Sequence, residues 1–234
     1  MSAIDKLYLG TWQFADIDDP TAIQLIQTAQ AIGIHNFDTA RVYARGKAER
    51  LLGQYCTDDA TIVTKVPAIH KQATTLSEAY PFDYTVKQIE ASASALGRMP
   101  DSLLLHNWNS QWEHEPPDVV ASLKEYVKSY GIARFGVSLP NDYQGALEST
   151  DHLTHFDDVE LPFNSGVPSL DSARIKHLSF EKNVLARSLF MHGKDKSNIR
   201  KKIADALATN AYVVIGATKS KQIEEWKEMV QRYE

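Results

Sequence analysis

Short apolar runs typical of β-strands alternate with helix-forming stretches along the whole chain, and this alternation limits the folds open to it. The runs lie at residues 6–12, 34–40, 61–66, 102–108, 132–139, 157–164, 183–190 and 212–218. Strands that are apolar on both faces and joined by helices are typical of a parallel sheet covered by helices. The sequence therefore predicts an α/β protein of eight strand–helix units.

Start and stop signals place the helices between these runs. Asp19 and Pro20 indicate an N-cap and the first helical position, and Gly33 ends that helix. The other predicted helices cover about 46–55, a stretch ending at Gly97, Pro117 to Gly131, a stretch from Ser197 or Asn198, and a last one from Ser220. Two short helices are expected near 143–149 and 168–178.

The number of units and the chain length together favour a barrel. Eight units in 234 residues give about 29 residues per unit, which suits a compact (β/α)8 TIM barrel. A doubly wound open sheet is the alternative, but it usually carries a GxGxxG turn after its first strand, and residues 10–20 contain none. No Gly-, Ser- or Pro-rich linker divides the chain, so we expect one domain over residues 1–234.

Charge and composition argue against several classes of protein. The chain has 25 Lys and Arg against 30 Asp and Glu, a formal net charge of −5, and no basic stripe typical of nucleic-acid or membrane binding. Cys56 is the single cysteine, so no internal disulfide and no thiolate metal site are expected. The sequence shows no leader pattern and no apolar run of about 20 residues. We therefore expect a cytoplasmic protein.

Polar residues stand at the carboxyl ends of three neighbouring strands, where a barrel of this kind has its active site. Asp38 and Tyr43 follow the second strand, Lys65 ends the third and His106 ends the fourth. A buried lysine needs a partner, which Asp38 can supply, and its ammonium group is expected to lower the pKa of Tyr43. Tyr43 can then give a proton to a carbonyl oxygen that His106 hydrogen-bonds. No side chain supplies the hydride for such a reduction, which implies a nicotinamide cofactor.

One segment carries a family resemblance. Residues 33–53, GIHNFDTARVYARGKAERLLG, resemble the signature of the aldo-keto reductase superfamily: a glycine, an NFDTA core, a tyrosine five positions after the aspartate, and a helix with GxxE and LG. The resemblance continues in order through residues 9–12, 64–66, 103–108, 131–138, 161–164, 185–190 and 215–225. The short late loops look most like those of small bacterial members.

The resemblance implies a (β/α)8 barrel that uses NADPH, or else NADH, to reduce an aldehyde or ketone without a metal. The catalytic positions it implies are Asp38, Tyr43, Lys65 and His106, with Tyr43 as the acid. The cofactor-binding residues it implies are Gly10, Thr11, Trp12, Asp38, Ser138, Glu160, Arg187, Ser188, Leu189, Gly216, Ala217, Thr218, Lys219 and Gln222. The substrate-contacting residues it implies are Trp12, Tyr43, His106 and Trp108.

The chain departs from the family pattern near the expected cofactor. Leu139 stands where asparagine is usual, Glu160 where glutamine is usual, and Arg187 where an aromatic residue is frequent. The arginine usual near the 2′-phosphate is missing, and Thr218 and Lys219 stand there. The loop after the seventh strand and the C-terminal tail look reduced, so we expect an open, shallow site.

The sequence leaves two questions open. Arg41, Arg45 and Arg187 either ring the mouth and favour an anionic or nucleotide-linked substrate, or are solvated charges and ion-pair partners. The function is either reduction of a small carbonyl compound, sugar-like or anionic, or binding and regulation by a catalytically weak or inactive barrel. A lyase that reuses Tyr43 and Lys65 without a nicotinamide is a third interpretation.

Overall fold

Eight parallel strands form a closed barrel in a computed structural model of the chain, which describes residues 2–70, 72–143, 145, 151–164, 172–190 and 197–230. The strands are β1 (Leu7–Gly10), β2 (Asn36–Asp38), β3 (Thr61–Pro67), β4 (Ser102–His106), β5 (Arg134–Ser138), β6 (Asp158–Pro162), β7 (Asn183–Arg187) and β8 (Tyr212–Gly216). Each strand pairs with the next, and β8 returns to β1 with Gly216 opposite Gly10. The predicted (β/α)8 barrel is confirmed.

Helices cover the outside of the barrel. They are α1 (Asp19–Ala31), α2 (Lys47–Tyr55), α3 (Leu76–Ala79), α4 (Phe82–Leu96), α5 (Pro117–Ser129), α6 (Ser172–Glu181), α7 (Ile199–Ala208) and α8 (Ser220–Val230). The short helix α3 was not predicted. Of the two short helices expected late in the chain, residues 144, 146–150 and 168–171 lie outside the described residues.

The start of α1 differs by one residue from the prediction. Asp18 rather than Asp19 is the N-cap, because its backbone is extended and its Oδ1 accepts a 3.0 Å hydrogen bond from Thr21 N. Asp19 and Pro20 are the first two helical residues. Both aspartates satisfy the local capping preference, so the backbone conformation decides between them.

The interior of the barrel holds an apolar cluster that is separate from the main core. Tyr8, Val63, Leu104, Leu185 and Val214 pack together there. The main core lies between the strands and the helices. Because side chains alternate along a strand, residues two positions later point to the same interior. The cluster therefore forms the floor of the barrel interior, directly beneath the side chains at the carboxyl ends of the strands.

No described helix is both long enough and apolar enough to cross a membrane. The single domain over residues 1–234 and the cytoplasmic location stay predictions.

Candidate active site

One residue from the carboxyl-terminal part of each strand contributes to a ring at the mouth of the barrel. In strand order the ring consists of Gly10, Asp38, Lys65, His106, Ser138, Glu160, Arg187 and Gly216. Strand pairing sets Gly10 beside Asp38, His106 beside Ser138, and Ser138 beside Glu160. Parallel pairing thus brings together residues that lie far apart in sequence, and all of them were predicted to be site residues.

Lys65 is the buried cation at the centre of the ring. Its side chain is fully buried, and its ammonium group donates to Asp38 Oδ1 and, at 3.0 Å, to the carbonyl oxygen of Thr39. Its Nζ also lies 3.0 Å from Glu160 Oε2. Burial by itself favours the neutral amine, but the two carboxyl groups outweigh it and raise the pKa of Lys65. The ammonium group therefore stays charged, and the predicted partnership with Asp38 is present.

Tyr43 and His106 meet above this ion pair. Their rings are edge to face with centroids 6.0 Å apart, and Lys65 Nζ lies 5.4 Å from the centre of the Tyr43 ring. Tyr43 begins a short 3-10 segment, Tyr43–Gly46, that leads from β2 into α2. Within it Ala44 and Arg45 have positive φ angles of 49° and 57°, which non-glycine residues rarely adopt. This sharp turn places the phenol of Tyr43 beside the ring of strand-end residues.

The acidity of Tyr43 differs from the prediction. The sequence predicts a lowered pKa, but burial raises the pKa of Tyr43 to about 12. Lys65 lowers it, whereas Asp38 and Glu160 raise it. Since the cation is already neutralised by carboxyl groups, it does not offset the cost of burying a tyrosinate. The phenol is therefore held protonated at neutral pH.

Arg187 spans the mouth from β7 towards β5. Its Nη1 donates to Asn141 Oδ1 at 2.8 Å and to Ser188 Oγ at 2.9 Å, and its Nη2 donates to the carbonyl oxygen of Leu139. Its Nε lies 2.9 Å from Glu160 Oε1. The three departures from the family pattern, at positions 139, 160 and 187, are thus joined in one network.

A cavity of about 810 Å³ opens above the ring. Tyr43 and His106 line it, and so do nine of the predicted cofactor-binding residues: Gly10, Trp12, Asp38, Arg187, Ser188, Leu189, Gly216, Thr218 and Gln222. Trp12 is 47% exposed and Val42 is 49% exposed, so this wall of the cavity faces solvent. That exposure agrees with the predicted open site on this side.

Five predicted cofactor-binding residues do not line the cavity in the described part of the chain. Thr11, Ser138, Glu160 and Ala217 are buried beneath its surface, and Lys219 is exposed. The structure therefore differs from the predicted direct contact for the buried four. Thr11 instead binds the backbone of Asp38, through its N and Oγ1, at 2.9 and 3.0 Å. The backbone N–H groups of Thr218 and Lys219 donate to Gln222 Oε1.

Trp108 was predicted to contact substrate, and the structure corrects this prediction. Its side chain is fully buried and packs edge to face against Trp112, His152 and Phe156. The chain leaves β4 through Asn107, whose φ of 61° turns the next residue away from the barrel interior. Trp108 is therefore a core residue, whereas Trp12 lines the cavity and its contact with substrate stays a prediction.

Two of the three arginines expected at the mouth lie elsewhere. Arg41 and Arg45 line a separate groove beside α2 and α4, and only Arg187 of the three lines the main cavity in the described residues. Arg41 pairs with the buried Glu49 at 3.3 Å. The alternative in which the three arginines ring the mouth is therefore wrong, and ion pairing is the correct alternative for Arg41.

Several cavity residues were missed from the sequence. Gln13 lines the cavity, and a Cβ at Gly216 would meet its side chain at 2.0 Å. Glu225, Trp226 and Met229 of α8 also line the cavity. Trp226 lies on the same face of α8 as the buried Ile223 and Val230. Such spacing is typical of a core residue and gives no signal of a cavity wall.

Comparisons with known proteins agree with this geometry. The sequence model described as the aldo/keto reductase family matches residues 6–184. An uncharacterized oxidoreductase from Mycobacterium bovis is 31% identical over 108 residues, which are 42% of this chain and 31% of that protein. The matched segment thus spans less than a third of the length of this curated relative.

Solved structures share the fold at low sequence identity. An aldo/keto reductase from Klebsiella pneumoniae, solved in complex with NADP and acetate, has a TM-score of 0.70 at 18% identity, covering 96% of this chain and 85% of that one. An aldo-keto reductase from Bacillus halodurans, in its holo form, has a TM-score of 0.72 at 17% identity, covering 97% and 86%. With the family model matching more than half of its length, this chain belongs to the aldo/keto reductase family.

Proposed function

We propose that this chain reduces an aldehyde or ketone with a nicotinamide cofactor and that Tyr43 is the proton donor. The observation that carries the proposal is the placement of Tyr43 and His106 on the wall of the 810 Å³ cavity, directly above the buried Lys65. Cavities of this size suit small molecules and cofactors. The similarity to reductases solved with NADP supports the same conclusion.

The residues of the cavity fit a dinucleotide. Gln13 Oε1 is buried at the cavity wall with no hydrogen-bond partner among the described residues, so it can accept from a ribose hydroxyl or an amide group. Gly10 and Gly216 line the cavity at the two adjoining strand ends, and the side chain of Gln13 packs over Gly216. Thr218 and Gln222 stand at the start of α8, where a phosphate is favoured by the helix dipole.

The reacting groups of the chain move one proton. When bound, the reduced nicotinamide supplies a hydride to the carbonyl carbon. Tyr43 gives its phenolic proton to the carbonyl oxygen as that oxygen gains charge, and His106 hydrogen-bonds the same oxygen. Lys65 stabilises the tyrosinate that remains, since a nearby cation favours the ionised phenol. The product is the alcohol.

NADPH is the proposed cofactor, with NADH as the alternative. Lys219 is exposed beside Thr218 at the start of α8, and its ammonium group is free to approach a 2′-phosphate. A point charge of this kind binds phosphate less specifically than the arginine usual in the family. We therefore expect a modest rather than an absolute preference for NADPH.

A matched pair of tyrosine variants tests the proton donor. Tyr43→Phe should lower the rate of carbonyl reduction by about 10²–10⁴-fold, while cofactor binding, followed by tryptophan fluorescence, is unchanged. Tyr8→Phe is the control, because Tyr8 is a buried tyrosine in the barrel floor and outside the cavity lining. Full activity of the Tyr43→Phe variant on a panel of aldehydes and ketones would refute the proposed acid.

A second function, as a binding or regulatory subunit, is favoured by Arg187. Its guanidinium group bridges Leu139, Asn141 and Glu160 across the mouth, at the position where the family often has an aromatic residue. A chain that binds NADPH but reduces no compound of the panel would support this second function. Measured turnover of any carbonyl substrate would support the reductase and exclude this second function.

A further inference from the structure

Arg187 is held in a fixed position at the mouth of the barrel. Its Nε lies 2.9 Å from Glu160 Oε1, its Nη1 donates to Asn141 Oδ1 at 2.8 Å, and its Nη2 donates to the carbonyl oxygen of Leu139. Nη1 also donates at 2.9 Å to Ser188 Oγ, and Ser188 has a φ of 59° that non-glycine residues rarely adopt. The guanidinium group therefore cannot turn towards a ligand without losing these contacts.

Glu160 balances the charge of Arg187 and is shared with Lys65. Its Oε1, which faces Arg187, also accepts a 2.8 Å hydrogen bond from Ser138 Oγ, and its Oε2 lies 3.0 Å from Lys65 Nζ. Lys65 in turn contacts Asp38. Two cations thus face two carboxylates, and the cluster as a whole is neutral. Neutralising one member leaves one uncompensated charge at the reaction centre.

The charges of this cluster are not equally accessible from the cavity. Arg187 and Asp38 line the cavity, whereas Glu160 is buried and does not. The side chain of Arg187 is 16% exposed and that of Asp38 is 6% exposed. Asp16 and Glu225 also line the cavity, but both are exposed, so water and salt screen their charge. A ligand in the cavity therefore meets the cation of the Arg187–Glu160 pair and not its carboxylate.

Arg187 is close enough to act on the reacting end of the cavity. In the proposed reaction the hydride donor has to lie about 3–3.5 Å from a carbonyl carbon, whose oxygen Tyr43 hydrogen-bonds. Lys65 Nζ lies 5.4 Å from the centre of the Tyr43 ring and contacts the carboxylate that Arg187 contacts. Burial is the main cause of the raised pKa of Tyr43, and the charge of Arg187 acts against it. A ring bound beside Tyr43 is therefore within the electrostatic reach of Arg187.

We propose that Arg187 is a specificity-determining residue that makes the cavity select the reduced form of the nicotinamide cofactor, an inference that rests on the proposed function. The ring of the reduced form is neutral, whereas the ring of the oxidised form carries one positive charge. A fixed cation beside the ring repels the oxidised form and has no net charge to repel in the reduced one. The oxidised product is then released more readily than the reduced cofactor.

Opposite charge changes at two contacting residues test the inference. The measured quantity is the dissociation constant of NADP⁺ divided by that of NADPH, each determined by isothermal titration calorimetry, and the wild type should give a ratio above one. Arg187→Met leaves Glu160 uncompensated and should lower the ratio by about 3- to 30-fold. Glu160→Gln leaves Arg187 uncompensated and should raise the ratio by a similar factor, and the double variant should lie between the two.

A second arginine–carboxylate pair supplies the matched control. Arg134 Nε lies 3.0 Å from an oxygen of the buried Asp158, and neither residue lines the cavity in the described part of the chain. Arg134→Met should therefore leave the ratio unchanged. A variant that is partly unfolded binds both forms of the cofactor less well by the same factor, which cancels in the ratio. Destabilisation alone thus cannot produce the expected opposite shifts.

The outcomes separate this inference from the proposed function. A wild-type ratio below one, no shift in either single variant, or shifts of both in the same direction would overturn the role of Arg187 and leave the proposed reductase standing. A wild-type protein that binds neither NADPH nor NADP⁺ would overturn the proposed cofactor, and the inference with it.

Discussion

Lys65 is a fully buried cation held by two carboxyl groups and one backbone carbonyl, and its residue type alone did not reveal this. The sequence predicted its pairing with Asp38 correctly. It could not predict the second partner, because Glu160 lies 95 positions later and meets Lys65 only through barrel closure. Burial of the phenol is the main reason why the predicted fall in the pKa of Tyr43 is wrong, and the two carboxyl groups add to it.

Removal of the cation should be costly at this site. Lys65→Met leaves a buried carboxylate short of a partner, and we expect a loss of about 3–5 kcal/mol in the free energy of unfolding at neutral pH. The raised pKa of Lys65 means that its contribution is complete below its ordinary value of 10.5 and is lost only as the pH rises beyond it. Urea denaturation of both proteins at neutral pH measures the difference.

An exposed lysine provides the contrast for that measurement. Lys201 pairs with Asp205 at 2.7 Å, but its side chain is 72% exposed. Lys201→Met should therefore change the free energy of unfolding by less than about 1 kcal/mol. Equal effects of the two substitutions would mean that burial does not set the strength of the Lys65 pair.

The elements show where periodicity succeeds and where it fails. The helix ending at Gly97 was predicted correctly, but the face that α4 buries includes Thr85 and Ser92 as well as the apolar Ile89. From the sequence, a threonine in a helix is expected to face solvent. The Thr85 hydroxyl, however, donates a hydrogen bond to the carbonyl oxygen of Pro81 one turn earlier. Thr85 can therefore lie on the buried face, and hydrophobic spacing does not detect a polar residue of this kind.

Gly53 fixes the contact between α2 and α4. A Cβ at this position would lie 2.5 Å from the carbonyl oxygen of Ala95 and 2.6 Å from the backbone of Leu96. Gly53→Ala should therefore destabilise the protein by about 1–3 kcal/mol, although alanine is the better helix former by about 1 kcal/mol. Chemical denaturation measures the sum of the two effects.

Gly97 provides the control for that substitution. Its φ is 71°, which asparagine tolerates, and a Cβ there would meet nothing within 4 Å. Gly97→Asn should thus cost less than Gly53→Ala. An increase in stability on Gly53→Ala would show that the two helices separate readily and that their close approach is not a constraint.

At the scale of the whole molecule, the closed barrel couples the cavity to overall stability. The first and last strands pair directly, and both contribute glycines to the cavity lining. A ligand that binds only the folded chain stabilises it by mass action. NADPH at 100 times its dissociation constant should add about 2.7 kcal/mol, which is about 5–10 °C in melting temperature for a chain of this size.

The thermal shift also tests the assignment of the 2′-phosphate to Lys219. Lys219→Met should reduce the shift with NADPH and leave the shift with NADH unchanged, while Lys221→Met, an exposed lysine of α8, should change neither. Melting is followed by circular dichroism. Absence of a shift with either dinucleotide would contradict the proposed cofactor site as a whole.

The sequence by itself determined the eight strand–helix units, the barrel and the family, because these depend on local periodicity and on one contiguous motif at residues 33–53. It also named the residues of the ring, some from their place at the end of a predicted strand and the others from the family resemblance. Only the tertiary structure decided that Trp108 is a core residue and that Glu160 shares Lys65 with Asp38. The physical reason is that burial and charge pairing depend on distances across the closed barrel, which spacing along the chain does not encode.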